Sequence, residues 1–186
     1  MSRRRADRIH ITGASGSGQT SLGAVLAERF GYTHFDADTY YWIPTEPPFT
    51  TPREVAERRR LLGANLNTHP RWVISGSLMV WGDPFIPLFD LVVFLYIPHE
   101  IRMARLRERE LTRFGAEPLA PGGRLHQHHL DFMSWAEKYD TAGDEQRSLF
   151  LHNRWLASLT CPVLRIEGDL TLDERIARIA DFVASR

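Results

Sequence analysis

The chain has 186 residues, of which 43% are hydrophobic and 25% are charged, and these values are ordinary for a globular protein with a buried core. Its 23 Lys and Arg residues balance 23 Asp and Glu residues, so it lacks the basic excess of a dedicated nucleic-acid-binding protein. No stretch approaches the roughly 20 apolar residues of a membrane span, and the single cysteine excludes a disulfide framework, so we expect a cytoplasmic protein with neither nucleic acid nor membrane as a partner.

Short apolar runs alternate with longer helical patterns along the chain, which is typical of a parallel sheet covered by helices. Arg3, Arg4 and Arg5 precede the first apolar run and are expected to form a solvated leader. The pattern predicts five strands, over residues 9–12, 33–35, 72–75, 91–97 and 162–166. It predicts six helices, over residues 17–30, 52–67, 99–114, 124–139, 144–159 and 173–185.

Right-handed helical crossovers between five parallel strands give a three-layer α/β fold, which we expect to form a single domain over residues 1–186. Two turn-rich segments, residues 44–52 and 115–123, carry prolines or glycines that exclude regular helix. Residues 115–147 are long enough to form a mobile lid over a binding site.

A glycine-rich segment with the sequence GASGSGQTS occupies residues 13–21, between the first predicted strand and the first predicted helix. This is the setting of a P-loop, in which curled backbone N–H groups and a helix N-terminus face phosphate oxygens. The alternative is a plain Gly/Ser turn, but the glycine spacing favours the P-loop. The residues expected to hold the phosphates of a nucleoside triphosphate are Gly13, Ser15, Gly16, Ser17, Gly18, Gln19, Thr20 and Ser21.

One position departs from the usual P-loop pattern G-x-x-x-x-G-K-[ST], because Gln19 stands where lysine is expected. Glutamine keeps a neutral N–H donor but lacks the positive charge that lysine places on the β- and γ-phosphates. Loss of a transition-state donor costs roughly 3–4 kcal/mol, and glutamine should lose part of that. We expect Gln19 to take part in catalysis, with an arginine from elsewhere supplying the missing charge.

Two carboxylates follow the second predicted strand, Asp36 and Asp38, at the end where parallel sheets bind ligands. One could hold Mg²⁺ through water, and the other could accept a proton from an attacking hydroxyl. The aromatic residues Tyr40, Tyr41 and Trp42 come next and could form the floor of a pocket for a ring-shaped substrate. The alternative is a solvated turn with the aromatic side chains in the core.

The third predicted strand ends in Ser75, Gly76 and Ser77, a small-residue turn that would suit an acceptor pocket, and Trp81 follows within reach of it. The alternative is a simple strand-to-loop turn.

Arginines recur at three- and four-residue spacing on the helix predicted after the fourth strand. Arg102, Arg105 and Arg109 share a face, and Arg113 extends that face by one turn. Such a face beside the phosphate loop would clamp transferring phosphates. The alternative is a solvated charged helix with neighbouring glutamates as partners. Arg147, at the end of the lid segment, is a weaker candidate for the same role.

The P-loop, the D-x-D after the second strand, the Ser-Gly-Ser turn and the arginine helix before a lid occur in an order that resembles the adenylate kinase-like superfamily. This superfamily includes nucleoside monophosphate kinases, shikimate kinase and gluconate kinase. The resemblance implies a five-stranded parallel sheet in the order 2-3-1-4-5, a lid, and ATP and Mg²⁺ as ligands. It implies that Thr20 and Asp36 serve Mg²⁺, that Asp38 contacts the acceptor hydroxyl, and that Arg105 and Arg109 reach in from the lid helix.

The chain also departs from adenylate kinases, which carry Asp-Gly-Phe-Pro-Arg after the third strand, whereas residues 75–79 read SGSLM. The missing arginine argues against AMP as the acceptor, and no sugar- or shikimate-specific pattern is complete. The sequence therefore predicts an ATP-dependent phosphotransferase acting on a small molecule. The alternatives are a nucleoside-triphosphate-binding protein with little or no kinase activity and a slow hydrolase of nucleoside triphosphates.

Overall fold

The computed structural model describes residues 6–185, so the predicted leader lies outside the described residues. A five-stranded sheet forms the centre, and all its neighbouring strands are parallel. The spatial order is β2-β3-β1-β4-β5, which confirms the predicted order 2-3-1-4-5. The strands are β1 (Arg8–Gly13), β2 (Thr33–Asp36), β3 (Trp72–Ser75), β4 (Leu91–Tyr96) and β5 (Val163–Glu167).

Helices cover both faces of the sheet, as the three-layer prediction requires. The helices are α1 (Gln19–Phe30), α2 (Ala37–Tyr41), α3 (Val55–Thr68), α4 (His99–Phe114), α5 (Ala116–Leu119), α6 (His126–Glu137), α7 (Leu149–Ala157) and α8 (Leu172–Ala184). Two 3₁₀ turns occur at Asp83–Leu88 and Lys138–Asp140. No helix within residues 6–185 is long and apolar enough to span a lipid bilayer.

Two hydrophobic clusters hold these layers together, one on each face of the sheet. Leu62 of α3 and Leu156 of α7 belong to one cluster with the inward side chains of β2, β3 and β4. Leu22 of α1 and Ile176 of α8 belong to the other cluster with side chains of β1, β3, β4 and β5. Strands buried on both faces are nearly continuous apolar runs, which is why the central strands were readable from the sequence.

The sequence placed two helix starts too early. Pro52 was expected to open a helix, but it forms an antiparallel bridge with Trp42, and α3 begins at Val55. The helix expected from residue 144 begins at Leu149, where the Ser148 side chain accepts a hydrogen bond from the Leu151 backbone N–H. Both errors arise because backbone pairing or a cap decides the start of a helix more strongly than apolar spacing does.

Two histidines are buried without charge inside the sheet region. His10 of β1 stacks on Phe89 at 5.2 Å between ring centroids, and neither of its ring nitrogens has a hydrogen-bond partner of normal geometry. Burial lowers the pKa of His10 to about 3, and only part of this is offset by the backbone of Ile74. Burial also lowers the pKa of His152 in α7 to about 3.

We expect the free energy of unfolding to fall as the pH decreases below 6.5. The unfolded chain binds protons at His10 and His152 near pH 6.5, whereas the folded chain resists protonation until about pH 3. Above pH 6.5 these histidines are largely neutral in both states and cause little change of stability with pH, whereas stability is lost progressively as the pH falls from 6.5 towards 3. Each histidine should account for about 2 kcal/mol between pH 6.5 and pH 5. Urea unfolding at pH 7, 6 and 5 measures this loss.

The matched variant is His10→Leu, which keeps an apolar side chain against Phe89 and cannot titrate. Its loss of stability between pH 6.5 and pH 5 should be smaller than that of the wild type by about 2 kcal/mol. If the free energies of unfolding of the two proteins changed equally with pH, His10 would be protonated in the folded state at its ordinary pKa.

Candidate functional site

The predicted motifs meet at the carboxyl edge of the sheet. Asp36, at the end of β2, is in register with Ser75 at the end of β3, and Ser75 is also in register with Ile11 of β1. Gly13, which opens the phosphate loop, is in register with Leu95 of β4. The phosphate loop, the acidic pair and the Ser-Gly-Ser turn therefore lie side by side at the edge where parallel sheets bind ligands.

The phosphate loop (residues 13–21) curls tightly into the N-terminus of α1. Gly16 and Gly18 have φ values of 84° and 88°, which side chains rarely tolerate. A Cβ at Gly18 would lie 2.8 Å from Nη1 of Arg175, and one at Gly16 would lie 3.0 Å from the backbone oxygen of Arg102. The N-cap of α1 is Gly18, so no side chain caps the helix, and its first N–H groups are available to an anion.

Gln19 lies inside the loop and is 9% exposed. Its Nε2 group donates to the backbone oxygen of Ala14 at 2.8 Å and to Oγ of Ser17 at 3.2 Å. An amide nitrogen has two N–H donors, so both are used within the loop. This geometry makes Gln19 a brace of the phosphate loop, a role that the sequence did not predict.

Thr20 and Asp36 are brought together as the resemblance implied. Thr20 Oγ1 donates to Asp36 Oδ2 at 3.0 Å, although the two residues belong to different elements, α1 and β2. The other carboxylate oxygen of Asp36 accepts the backbone N–H of Asp38 at 2.9 Å and so caps α2. A hydroxyl and a carboxylate with this spacing fit the oxygen ligands that Mg²⁺ prefers.

Asp38 lies in the first turn of α2 and faces a group of arginines. Loss of hydration raises the pKa of Asp38 above its ordinary value, and repulsion from Asp36 raises it further. Arg147, Arg109 and Arg113 oppose this shift in that order, so their guanidinium groups lie within electrostatic reach of the carboxylate. Because solvent still reaches the Asp38 side chain, a ligand can also reach it.

Arg147 has the most direct contact with the phosphate loop among these arginines. Its Nη2 group donates to Oγ of Ser15 at 2.6 Å, and its guanidinium carbon lies 4.8 Å from the centre of the Trp135 ring. The next residue is Ser148, which is fully buried and caps α7. The sequence favours the arginines of α4 for phosphate binding and does not predict this contact of Arg147 with the loop.

The predicted arginine face of α4 is divided between different partners. Arg102 is 1% exposed and donates to the backbone oxygen of Ala136 at 2.8 Å and to Asp140 at 3.0 Å, so partners within the fold occupy the guanidinium that was expected to help clamp phosphate. Arg105 forms an ion pair with Asp169 in the connection between β5 and α8. Of the four arginines, only Arg109 and Arg113 are among those that shift the pKa of Asp38.

Some of the residues predicted to bind the acceptor lie beside the site, and others are buried in the core. Tyr41 and Trp42 are half-buried beside the site, with ring centroids 4.7 Å apart. Gly76 packs against α2, since a Cβ there would lie 2.9 Å from Cβ of Ala37. Trp81 does not line the site, because it is 2% exposed within the hydrophobic core and its Nε1 donates to the backbone oxygen of Ser77. Ser21 is exposed in the first turn of α1.

Sequence reasoning missed Arg175 of α8 as a contact of the phosphate loop. This arginine is 3% exposed, and its Nη1 group donates to the backbone oxygen of Ser17 at 2.9 Å. A signal was present, because Arg175 stands four residues before Ile179, on the helix face that the core requires to be apolar. A charged residue at such a position needs a buried hydrogen-bond acceptor.

A hydrogen-bonded chain that sequence reasoning also missed joins the segment before α7 to the phosphate loop. His152 Nε2 lies 3.2 Å from Oγ1 of Thr12, the residue before the loop, and its Nδ1 lies 2.9 Å from the hydroxyl of Tyr139. This chain fixes α7, which follows directly after Arg147, against the end of β1. No spacing rule connects residues that lie 140 positions apart in the sequence.

Comparison with known proteins places the chain in a family and identifies its fold. No protein-family model matches the chain. It is 49% identical over 177 residues to the uncharacterized protein YqaC of Bacillus subtilis (strain 168), and the match covers 95% of this chain and 97% of YqaC.

Solved structures of small-molecule kinases have the same fold at low sequence identity. Shikimate kinase from Acinetobacter baumannii, solved with shikimate, matches with a TM-score of 0.55 at 17% identity, over 97% of this chain and 94% of that chain. A gluconokinase from Sinorhizobium meliloti 1021 matches with a TM-score of 0.51 at 19% identity, over 98% and 94%. Deoxyadenosine kinase from M. mycoides, with bound dCTP, matches with a TM-score of 0.51 at 13% identity, over 96% and 100%.

The sheet order, the phosphate loop at its carboxyl edge and these matches lead to one conclusion: the chain belongs to the family of B. subtilis YqaC, and it has the five-stranded P-loop α/β fold of these kinase structures.

Proposed function

We propose that the protein is an ATP-dependent phosphotransferase that acts on a small molecule carrying a hydroxyl group. One observation carries the proposal: a phosphate loop, a hydroxyl–carboxylate pair and a second carboxylate ringed by arginines converge at one edge of the sheet. A carboxylate beside the phosphate loop provides a base for an acceptor hydroxyl, which nucleotide binding alone does not require. The fold of known small-molecule kinases supports the same function.

In this mechanism Asp38 accepts the proton of the acceptor hydroxyl as its oxygen attacks the γ-phosphorus of ATP. The new oxygen–phosphorus bond forms while the bond to the β-phosphate oxygen breaks, which leaves ADP. The raised pKa of Asp38 brings it closer to the operating pH, which favours proton transfer. Thr20 and, through water, Asp36 would hold Mg²⁺, which neutralises phosphate charge when bound.

Arginines replace the charge that lysine usually supplies to the phosphate loop. Arg147 is already in contact with Ser15 of the loop, and Arg109 lies within electrostatic reach of Asp38. Arginine forks hold phosphate oxygens two at a time, so the pair can stabilise charge on a transferring phosphoryl group. We propose that residues 115–147 act as a lid over the site and that Arg147, at the end of this lid, contacts the phosphates from its position beside Ser15.

Because Arg147 supplies this charge, lysine at position 19 should add little. We expect Gln19→Lys to change the rate of acceptor phosphorylation by less than about tenfold. Once Arg147 neutralises phosphate charge, a second cation adds less stabilisation to the transition state. Steady-state kinetics with varied ATP measures this change. A rise of a hundredfold or more would mean that the loop lacks its cation and that Arg147 does not supply it.

The nucleotide site itself is tested by Gly18→Val. The φ of 88° disfavours a β-branched residue, and the new side chain meets the Arg175 guanidinium. We expect ATP affinity to fall at least about tenfold, or 1.4 kcal/mol, while the circular dichroism spectrum is unchanged. The control is Gly31→Val, since Gly31 also has a positive φ, of 70°, but lies at the opposite end of α1 from the loop, and a Cβ there has no neighbour within 4 Å. If a folded Gly18→Val protein bound ATP with wild-type affinity in calorimetry, the loop would not be the ATP-binding site.

A second candidate is a nucleotide-binding protein with little or no transfer activity, which the bracing role of Gln19 favours, because both of its amide N–H groups are occupied. ATP binding without turnover would support this candidate, and turnover that is independent of any acceptor would indicate a slow hydrolase.

A further inference from the structure

The position of Arg113 on α4 separates it from the arginines that serve the phosphate loop. The helix packs against the loop where Leu106 lies beside Gly16, since a Cβ on that glycine would be 3.0 Å from the leucine side chain. Arg113 follows Leu106 by seven residues, which is roughly 10 Å along a helix axis. It therefore lies well beyond the phosphate loop in the direction of the lid.

The aromatic neighbours of Arg113 are Phe114, the next residue of α4, and Phe49, in the loop that follows α2. Its guanidinium carbon lies 4.8 Å from the centre of the Phe49 ring, and Phe49 packs edge-on against Trp42 with 6.2 Å between centroids. Backbone hydrogen bonds fasten this loop, residues 43–53, to the end of α2: Arg53 N–H donates to the Tyr41 oxygen at 2.7 Å. Arg113 thus borders the predicted acceptor side of Asp38.

The hydrogen-bonding capacity of Arg113 is unused within residues 6–185, where its side chain makes no hydrogen bond and no ion pair. A guanidinium has five N–H donors. Arg105 is paired with Asp169 and Arg147 donates to Ser15, so these two arginines have partners that Arg113 lacks. Stacking on Phe49 holds the planar fork in place and leaves its N–H edge free for a planar or tetrahedral anion.

We propose that Arg113, held against Phe49, binds an anionic group of the acceptor, so that the acceptor is a hydroxyl compound that also carries a carboxylate or a phosphate. The proposal rests on the proposed function, because it assigns the acceptor of that same site. Arg113 determines specificity and does not take part in the transfer of the phosphoryl group.

The test uses the variant Arg113→Met, which keeps an apolar stem over Phe49, and the control Arg107→Met, an exposed arginine two residues earlier than Arg109 and on a different side of α4. With a non-hydrolysable ATP analogue bound, calorimetry measures the affinity of inorganic phosphate, of gluconate and of uncharged glucose at constant ionic strength. We expect at least one of the two anions to bind the wild type and the Arg107→Met protein with similar affinity. The same anion should bind the Arg113→Met protein at least tenfold more weakly. The affinity of glucose should not differ among the three proteins. Preference for phosphate or for gluconate identifies the anionic group.

Transfer kinetics on the same proteins separate this inference from the proposed function. With the best anionic acceptor of a panel, Arg113→Met should raise KM for the acceptor at least tenfold and leave KM for ATP unchanged. Equal transfer to uncharged and anionic acceptors would overturn the inference and leave the proposed function standing. If neither the wild type nor the variants transferred phosphate to any acceptor, the proposed function would be contradicted. The calorimetry would still show whether Arg113 binds an anion. Failure of both anions to bind the wild type would overturn the inference.

Discussion

Replacing Arg147 by alanine should lower the rate of acceptor phosphorylation by about 10³, within the range by which an arginine that stabilises a transferring phosphoryl group accelerates catalysis. The effect should be large because the phosphate loop has Gln19 in place of lysine, and both N–H groups of that glutamine are used within the loop. The guanidinium of Arg147 is positioned by its contact with the Trp135 ring and by its hydrogen bond to Ser15 of the loop. Its removal leaves the developing charge on the phosphates without a cation at this position.

The measurement is single-turnover phosphorylation of the acceptor, with ATP affinity determined separately by calorimetry. Arg154→Ala is the control, since this arginine is exposed on α7 and stacks on Phe150, away from the loop. Arg147→Lys should recover part of the rate, because it restores the charge without the planar fork. A rate for Arg147→Ala within tenfold of the wild type would assign the cation to another residue.

Asp38→Asn should lower turnover by about 10² or more, which is the scale of a lost general base. Asparagine keeps the size of the side chain but cannot accept the hydroxyl proton. ATP should still bind, because the Thr20–Asp36 pair and the phosphate loop do not depend on the Asp38 side chain.

The pH dependence gives a second readout of Asp38. Only the ionised carboxylate acts as a base, so turnover of the wild type should rise with pH through the pKa of Asp38, which lies above its ordinary value. The Asp38→Asn protein should lack this rise. Asp181→Asn, on the exposed face of α8, is the control. If Asp38→Asn kept the wild-type rate and the same pH profile, Asp38 would have no part in proton transfer.

Local patterns were sufficient for the sheet and for the phosphate loop. Strands such as β4 are buried on both faces and therefore appear in the sequence as apolar runs, and the loop motif has a fixed spacing between one strand and one helix. The order of the strands followed from the resemblance. The resemblance implied that Thr20 and Asp36 serve one magnesium site, and the structure places the two side chains within hydrogen-bonding distance.

Side-chain partners across the fold were not predictable, because arginines are long and their partners are set by packing. Arg102, Arg105 and Arg109 have helical spacing, yet the first is buried under α6 and the second pairs with Asp169. Trp81 was assigned to the acceptor pocket, but aromatic residues occur both in pockets and in hydrophobic cores. In the structure Trp81 is buried in the core. The contact of Arg147 with Ser15 spans 132 positions, and no local pattern reports it.

The most direct test of the proposed function is transfer of label from [γ-³²P]ATP to a panel of nucleosides, nucleotides, sugars and hydroxy acids, with Mg²⁺ present. We expect a labelled product with at least one acceptor, formed at a rate that depends on the acceptor concentration and that falls in Asp38→Asn and Arg147→Ala. The proposed function would be contradicted by a protein that binds ATP and either leaves it intact or releases labelled phosphate at one rate whatever acceptor is added.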